Sequence, residues 1–145
     1  MQKYEHAFGK NDIRGIYSKD ITEELFYNTG RGFIEWLKEK SGKTPQEMTL
    51  TVCRDARLHS LNLSKALISG VTSMGAKVLD MGLAPTPLGY YSEATTNDVI
   101  SAMIITASHN PKEYNGLKMT YNRQTLNETQ IKEVKEFTFK NWTQN

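Results

Sequence analysis

The sequence predicts an α/β fold in which helices cover both faces of a largely parallel sheet. Segments rich in strand-forming residues alternate along the chain with segments whose apolar residues recur at helical spacing. Strands that alternate with helices of ten or more residues are typical of parallel sheets, because each helix carries the chain back to the next strand's start. Since 145 residues suffice for one hydrophobic core, we expect a single domain over residues 1–145.

The first helix is predicted within residues 20–40. Asp20 is followed three positions later by Glu23, an arrangement that predicts a capping box with Asp20 as the N-cap. Apolar side chains then recur on one side of the segment. Gly30 and Gly32 each cost a helix about 1 kcal/mol relative to alanine, so they indicate either close packing at that turn or a weak point.

The middle of the chain predicts two strand–helix units. Residues 48–53 alternate and are rich in strand formers, and Ser60 is suited to cap the helix that follows, which ends at Gly75. Residues 77–81 form the next predicted strand. The two prolines of segment 82–91 then enforce an extended entry into a short helix.

The last third predicts two strands and a helix. Residues 99–105 are too apolar for a strand with one wet face, so they are expected at the centre of the sheet. Residues 116–121 form a further strand, and Asn127 with Gln130 caps the final helix. In such sheets, functional residues collect at the carboxyl ends of strands, and the segment after Ile105 lies at one of these ends.

Composition excludes several classes of function. With 38% apolar residues, 23% charged residues and a formal net charge of +2, the chain is expected to be a soluble globular domain. Lysine and arginine are scattered, so nucleic-acid binding is not expected. Segment 99–105 is too short to span a bilayer, and the amino terminus lacks an apolar signal core; we expect no membrane association and a cytoplasmic location. Cys53 lies in a predicted strand and is expected to be inert.

The segment from Ile104 to Lys118 carries the candidate chemistry. Ser108 and His109 suggest a hydrolase, but neighbouring side chains of an extended segment point to opposite sides, and no G-x-S-x-G elbow surrounds the serine. Small residues before Asn110 instead predict a tight loop whose amides and serine hydroxyl can face a phosphate, with Lys118 returning as a positive charge. This pattern suits phosphoryl transfer; an ordinary surface loop is the alternative.

These residues resemble a known family. Ser108 lies in a stretch similar to the phosphoserine loop of the α-D-phosphohexomutases, the phosphomannomutase and phosphoglucomutase family. The segments that carry the resemblance are "TASHNP" with "YNGLK", "FGKNDIRG", "CRDAR" and "GLAPTPLGYY". The match runs over nearly the whole chain and implies the fold of the amino-terminal domain I, a three-layer α/β/α sandwich with a mixed, largely parallel sheet.

The resemblance implies a role for each matching residue. Ser108 would be phosphorylated in the active enzyme, would pass its phosphate to a sugar phosphate through a hexose 1,6-bisphosphate intermediate, and would be a ligand of Mg²⁺. His109 and Lys118 fall on positions implicated in acid–base chemistry at the sugar hydroxyl, and Arg14 on one that reaches the phosphoserine. Asn110 would position the loop.

Other interpretations remain for several of these residues. Arg14 could be a structural ion-pair partner of Asp12. The segment 54–57, with Arg54, Asp55 and Arg57, is more typical of an ion-pair network than of direct chemistry. Asn11 falls on a substrate-binding position where some phosphomannomutase/phosphoglucomutase members have an aromatic residue, so contacts with the sugar are in question there.

Much of the family pattern lies outside these 145 residues. Members are about three times as long, and their later domains bring an aspartate-rich magnesium loop, whereas no D-x-D sequence occurs here. The expected partners are therefore a phosphosugar, the remaining domains of a longer enzyme, or a second copy of the chain. Alone it is expected to have little mutase activity; the rival hypothesis is a stand-alone binding or assembly module. "YNGLK" and "NDIRG" favour mannose or glucose phosphates over glucosamine phosphate.

Overall fold

The computed structural model describes residues 2–144. The described residues form a mixed sheet, with α-helices between most of its strands and short 3-10 helices at Gln2–Ala7 and Pro45–Glu47. The strands are β1 (Ile13–Ile16), β2 (Thr49–Arg54), β3 (Lys77–Leu83), β4 (Val99–Ile105), β5 (Tyr114–Tyr121) and β6 (Gln124–Thr125). The helices are α1 (Glu23–Ser41), α2 (Ser60–Ser73), α3 (Thr86–Thr95) and α4 (Glu128–Lys140).

The sheet has the strand order β1-β5-β4-β2-β3, and β6 pairs with β5. β2 runs parallel to both β3 and β4, whereas β5 is antiparallel to β4, β1 and β6. The predicted mixed sheet is confirmed, but its predicted largely parallel pairing is wrong: of the five pairs between the described strands, β2–β3 and β2–β4 are parallel and three are antiparallel. The predicted central position of β4 is also confirmed.

Helices cover both faces of the sheet. On one face, Val52 of β2 and Met103 of β4 belong to the same core cluster as apolar side chains of α1, α2 and α4. On the other face lies α3, where Thr51 Oγ1 and Ser92 Oγ are 2.7 Å apart. Cys53 also faces α3, and burial raises the pKa of its thiol to about 11, which agrees with the predicted inert residue. The three-layer α/β/α sandwich is confirmed.

Close helix packing explains the two glycines of α1. A Cβ added at Gly30 would lie 2.8 Å from the carbonyl oxygen of Leu67 in α2. A Cβ at Gly32 would lie 2.6 Å from backbone atoms of Thr138 in α4. Because α1 contacts both neighbouring helices at backbone distance, close packing is the correct choice between the two predicted explanations.

The predicted start of α1 is wrong. Its N-cap is Thr22, whose Oγ1 accepts a hydrogen bond from the Leu25 amide at 3.1 Å. Asp20 instead accepts a hydrogen bond from the Ile16 amide at 2.9 Å, and its other carboxylate oxygen lies 2.6 Å from His6 Nε2. These contacts, the Ile16 amide above all, lower the pKa of Asp20. Asp20 therefore closes the turn after β1 and does not cap the helix.

The predicted cap of α2 is also wrong. Ser60 is the first residue of the helix, and His59 precedes it without a side-chain capping bond. The Ser60 hydroxyl donates to Asp55 at 2.7 Å, so it is occupied outside the helix. The capping box of Asn127 and Gln130 at the start of α4 is confirmed.

The strand register brings distant segments to one edge of the sheet. Ile105 at the end of β4 pairs with Leu117 of β5, and Leu117 pairs with Ile13 at the start of β1. On the other side, the Asp55 amide after β2 donates to the Ile105 carbonyl at 3.0 Å. The segments that follow β2 and β4 and the one that precedes β1 therefore meet at this carboxyl edge.

Candidate active site

The loop after β4 holds Ser108 in an unusual backbone conformation. Ser108 has φ of 56°, in the left-handed region that residues other than glycine rarely occupy. Its amide donates to Thr106 Oγ1 at 2.9 Å, and the Asn110 amide donates to the Ala107 carbonyl at 3.1 Å. The Ser108 side chain is exposed at the carboxyl edge. Such strain persists only where surrounding contacts hold it, and it concentrates at functional sites.

Arg14 reaches this loop from β1. Its Nη1 donates to Asn110 Oδ1 at 2.7 Å, and its Nη2 lies 3.4 Å from Ser108 Oγ. The same Nη2 donates to Asp12 at 2.5 Å. Arg14 therefore has both predicted relationships, an ion pair with Asp12 and an approach to the serine.

Lys118 of β5 completes a charged group beside the serine. Its Nζ lies 3.3 Å from the Asp12 carboxylate that also binds Arg14. The side chains of Arg14, Asp12 and Lys118 are 28%, 16% and 17% exposed, so partial burial strengthens their electrostatic interactions. Two cations share one carboxylate, which leaves a net positive charge next to the Ser108 hydroxyl.

His109 and Asn11 lie outside this bonded group. Both residues are exposed, and within residues 2–144 neither side chain makes a hydrogen bond. His109 lines a shallow cavity together with Ser108, Thr106, and the segment 84–87 that leads into α3. The structure thus brings Ser108, Asn110, Arg14 and Lys118 together, whereas His109 lines the adjoining cavity without a hydrogen bond among the described residues, and Asn11 only precedes Asp12 in the chain.

The segment 54–57 contributes Arg57, for which the sequence predicts only an ion-pair role. Arg57 does pair with Asp55, with Nε 3.0 Å from Oδ2, so that part of the prediction is confirmed. Its guanidinium also donates to backbone carbonyls of the serine loop. Arg54 does not join the network: among the described residues its side chain forms neither a hydrogen bond nor a salt bridge.

The geometry argues against a serine hydrolase. No hydrogen bond joins Ser108 to His109 in the described part of the chain, and His59, just before α2, has its Nδ1 2.8 Å from Asn115 Nδ2. A nucleophile–base pair would require a base within hydrogen-bond reach of the serine.

The described residues do not form a metal site by themselves. Within residues 2–144, no group of three or more His, Cys, Asp or Glu side chains could hold a metal ion. Two acidic side chains at this edge are already paired, Asp12 with Arg14 and Lys118, and Asp55 with Arg57. Mg²⁺ requires several oxygen ligands in octahedral geometry, so Ser108 alone does not fit a complete magnesium site.

Two other features lie apart from the serine loop. A cavity beside the start of β4 is lined by charged side chains, two of which are paired: Lys40 binds Glu133 at 2.9 Å, and Glu93 accepts from the Arg123 amide at 3.1 Å. Separately, none of the helices described between residues 2 and 144 is long and apolar enough to cross a membrane.

The fold and the loop together define an α/β/α domain that presents a strained serine among paired cations at the carboxyl edge of its sheet. A family model described as "Phosphoglucomutase/phosphomannomutase, alpha/beta/alpha domain I" matches residues 5–145. The chain belongs to the phosphoglucomutase/phosphomannomutase family and comprises its domain I.

Individual relatives agree with this membership. A phosphoglucomutase/phosphomannomutase of Thermococcus kodakarensis is 40% identical over 112 residues, covering 77% of this chain and 24% of the relative. A phosphomannomutase/phosphoglucomutase of Pseudomonas aeruginosa is 36% identical over 134 residues, covering 92% of this chain and 28% of the relative. A phosphoglucosamine mutase of Dictyoglomus turgidum is 36% identical over 115 residues, covering 79% of this chain and 25% of the relative. Because relatives with both kinds of name match, the preference for mannose or glucose phosphates stays a prediction.

A solved structure has the same fold. The crystal structure of a phosphoglucomutase/phosphomannomutase family protein from Burkholderia thailandensis superposes with a TM-score of 0.80 at 31% identity, covering 92% of this chain and 30% of that protein. The chain therefore spans about a quarter of the length of the curated relatives that it matches.

Proposed function

We propose that this chain is the serine-bearing domain of a phosphohexomutase, which interconverts hexose 1-phosphate and hexose 6-phosphate. Family membership supports the reaction class. The observation that carries the proposal is the contact of Arg14 with Ser108 and Asn110 across the sheet, at a serine held with positive φ. A guanidinium beside a strained, exposed serine is suited to bind a phosphate on that serine.

In the proposed reaction, Ser108 carries a phosphoryl group and transfers it to a sugar hydroxyl. The P–O bond to Ser108 breaks as the P–O bond to the sugar forms, which gives a hexose 1,6-bisphosphate; the other phosphate then returns to Ser108. The hydroxyl proton passes to a neutral His109, or to Lys118 in its neutral amine form, and is returned to the serine oxygen. Arg14 offsets the charge of the transferring group, and Lys118 does so in its protonated form, as phosphoryl transfer requires.

Substrate and metal binding are proposed in part for other domains. Asn110 is bonded to Arg14 and would keep the loop in place, while Asn11, exposed next to Asp12, would contact the phosphosugar. When bound, Mg²⁺ would neutralise phosphate charge, with the phosphorylated Ser108 supplying an oxygen. Since the described residues lack further free carboxylates at this point, aspartates from outside this chain would complete its coordination.

Exposed apolar side chains support the proposal that other domains pack on this one. Large apolar residues on β3, on α3, in the turn before α2 and at the start of α2 are exposed: Leu58, Leu61, Leu79, Leu83, Leu88 and Tyr91. Exposed apolar patches mark interaction surfaces. We infer that the remaining domains of a longer enzyme cover them, that the isolated chain is nearly inactive, and that it self-associates at high concentration. A clean monomer in concentrated sedimentation runs would contradict the last inference.

The rival hypothesis, a stand-alone binding or assembly module, rests on the same exposed surface. The two are separated by a chimera in which this chain replaces the matching part of the Pseudomonas aeruginosa relative. We expect turnover of mannose 1-phosphate or glucose 1-phosphate, assayed in the cytoplasmic conditions where we expect the protein to act. A folded chimera that turns over neither sugar nor glucosamine phosphate would favour the module.

A further inference from the structure

Arg57 holds the backbone of the serine loop. It lies just after β2, and its side chain is 15% exposed. Both terminal nitrogens donate to backbone carbonyls of the serine loop and of the first residue of β5. The acceptors are Ser108 at 3.0 Å, Asn110 at 2.8 Å, Pro111 at 2.6 Å and Tyr114 at 3.2 Å.

These bonds use the full donor capacity of the side chain. An arginine has five N–H groups in a rigid planar fork, and the fifth, on Nε, donates to Asp55 at 3.0 Å. A lysine would keep the charge at this position but has a single nitrogen, so it could not reach carbonyls on both sides of the loop. The contact therefore depends on the shape of the guanidinium and not only on its charge.

The Arg57 bonds also explain how Ser108 keeps its left-handed conformation. The peptide plane before its Cα is held by the Ser108 amide, which donates to Thr106 Oγ1 at 2.9 Å. The peptide plane after its Cα is held by the Ser108 carbonyl, which accepts from Arg57 Nη2 at 3.0 Å. When both planes are fixed, φ and ψ of the serine are fixed with them, which sustains a conformation that would otherwise relax.

Arg57 is itself held by a chain of hydrogen bonds. Asp55 Oδ2 accepts from Arg57, while Asp55 Oδ1 accepts from the Ser60 hydroxyl at 2.7 Å. Ser60 Oγ accepts from Asn115 Nδ2 at 2.9 Å, and Asn115 Oδ1 accepts from the Gly116 amide at 2.8 Å. The Gly116 amide is an unambiguous donor, so it fixes the orientation of the Asn115 side chain. The network thus links the end of β2 to β5, two rigid strands on either side of β4.

We propose that Arg57 is a positioning residue for Ser108. It acts through the backbone of the loop, directs the serine oxygen towards Arg14, and does not contact the phosphoryl group. The proposal deepens the proposed function and rests on it for its catalytic meaning, but the conformational effect on Ser108 is measurable in this chain without any activity.

The test is NMR on the 145-residue chain and on two matched variants, Arg57→Lys and Arg54→Lys. Each variant keeps the charge, and the Arg54 side chain has no partner among the described residues. In a residue with positive φ the amide proton and Hα lie close together, so the residue gives a strong intraresidue nuclear Overhauser cross-peak between them. We expect Arg57→Lys to weaken this peak for Ser108 and to accelerate exchange of the Ser108 amide at least about tenfold, with core amides unaffected. Arg54→Lys should match the unmodified chain.

An unchanged Ser108 cross-peak and exchange rate in folded Arg57→Lys would overturn the proposal, as would equal effects in Arg54→Lys. If Arg57→Lys does not fold, Ser60→Ala supplies the test, because it removes one support of Asp55 and leaves the fork in place. Ser60→Ala should accelerate hydrogen exchange of the Ser108 amide by a smaller factor than the one expected for Arg57→Lys. No acceleration would again overturn the proposal. Phosphorylation of Ser108 is measured separately by mass spectrometry, so failure of the proposed function and failure of the positioning role are distinguishable.

Discussion

Phosphorylation of Ser108 should stabilise the folded chain through Arg14. Arg14 Nη2 lies 3.4 Å from Ser108 Oγ, so phosphate oxygens carried on Oγ can come within hydrogen-bond reach of the guanidinium. The phosphate adds about 1.5 to 2 negative charges above its second pKa of about 6. The stabilisation should therefore increase as the pH rises through that value.

The expected size follows from the geometry. A charge-assisted hydrogen bond contributes about 1.5–3 kcal/mol, and two opposite unit charges 4 Å apart near a protein surface attract each other by about 4 kcal/mol. Two features reduce the effect: Arg14 is 28% exposed, and Asp12 occupies the same nitrogen at 2.5 Å. We expect a net gain of about 2 kcal/mol, which raises the melting temperature by about 4–8 °C in a chain of this size.

The assay is calorimetry on chains with serine or encoded phosphoserine at position 108, in slightly alkaline buffer. The gain on phosphorylation is compared among the natural sequence, Arg14→Met and Arg31→Met. Arg31 is a matched control because it lies on α1 and its guanidinium donates to Ser73 of α2, outside the serine loop. Arg14→Met should lose most of the gain, while Arg31→Met should keep it. An equal gain in Arg14→Met would refute the assignment of Arg14 as the phosphate partner.

Three further predictions test the fold around the site. Gly32→Ala should destabilise the chain by about 1–2 kcal/mol, because the clash with Thr138 outweighs the gain in helix propensity; an unchanged melting temperature would contradict this packing. The Cys53 thiol, with its pKa raised to about 11, should resist iodoacetamide in the folded chain and react after unfolding, so rapid labelling of the folded chain would count against its burial. Asp20→Asn should lower the free energy of unfolding by about 1–2 kcal/mol at neutral pH. Because the pKa of Asp20 is lowered in the folded state, urea titrations should show this difference shrinking as the pH falls below 3.8, and a constant difference would be inconsistent with the Ile16 contact.

The regular elements were predictable because they depend on local periodicity. The strand at 99–105 and the capping box at Asn127 lie where the sequence predicts them. β1 and β6 are not among the predicted elements, since strands of four and two residues carry too little pattern. The cap of α1 was misassigned because Asp20 and Thr22 are both good N-cap residues, and the turn after β1 decides between them.

The site was predictable where side chains contact side chains and not where they contact backbone. The motifs indicated Ser108, Asn110 and Lys118, and the sheet register brings Arg14 to them from 96 residues away along the chain. The role of Arg57 was missed because its loop partners are carbonyls, which every residue has. No side-chain pattern in the sequence records such a contact.

The most direct test of the central claim is the location of the phosphate. The chimera with the Pseudomonas aeruginosa relative is incubated with a hexose 1,6-bisphosphate, digested, and analysed by tandem mass spectrometry, with Ser108→Ala as the control. We expect one phosphoryl group on Ser108 and loss of both phosphate and turnover in Ser108→Ala. Phosphate on another residue, or undiminished turnover in Ser108→Ala, would contradict the assignment of Ser108 as the phosphoryl carrier.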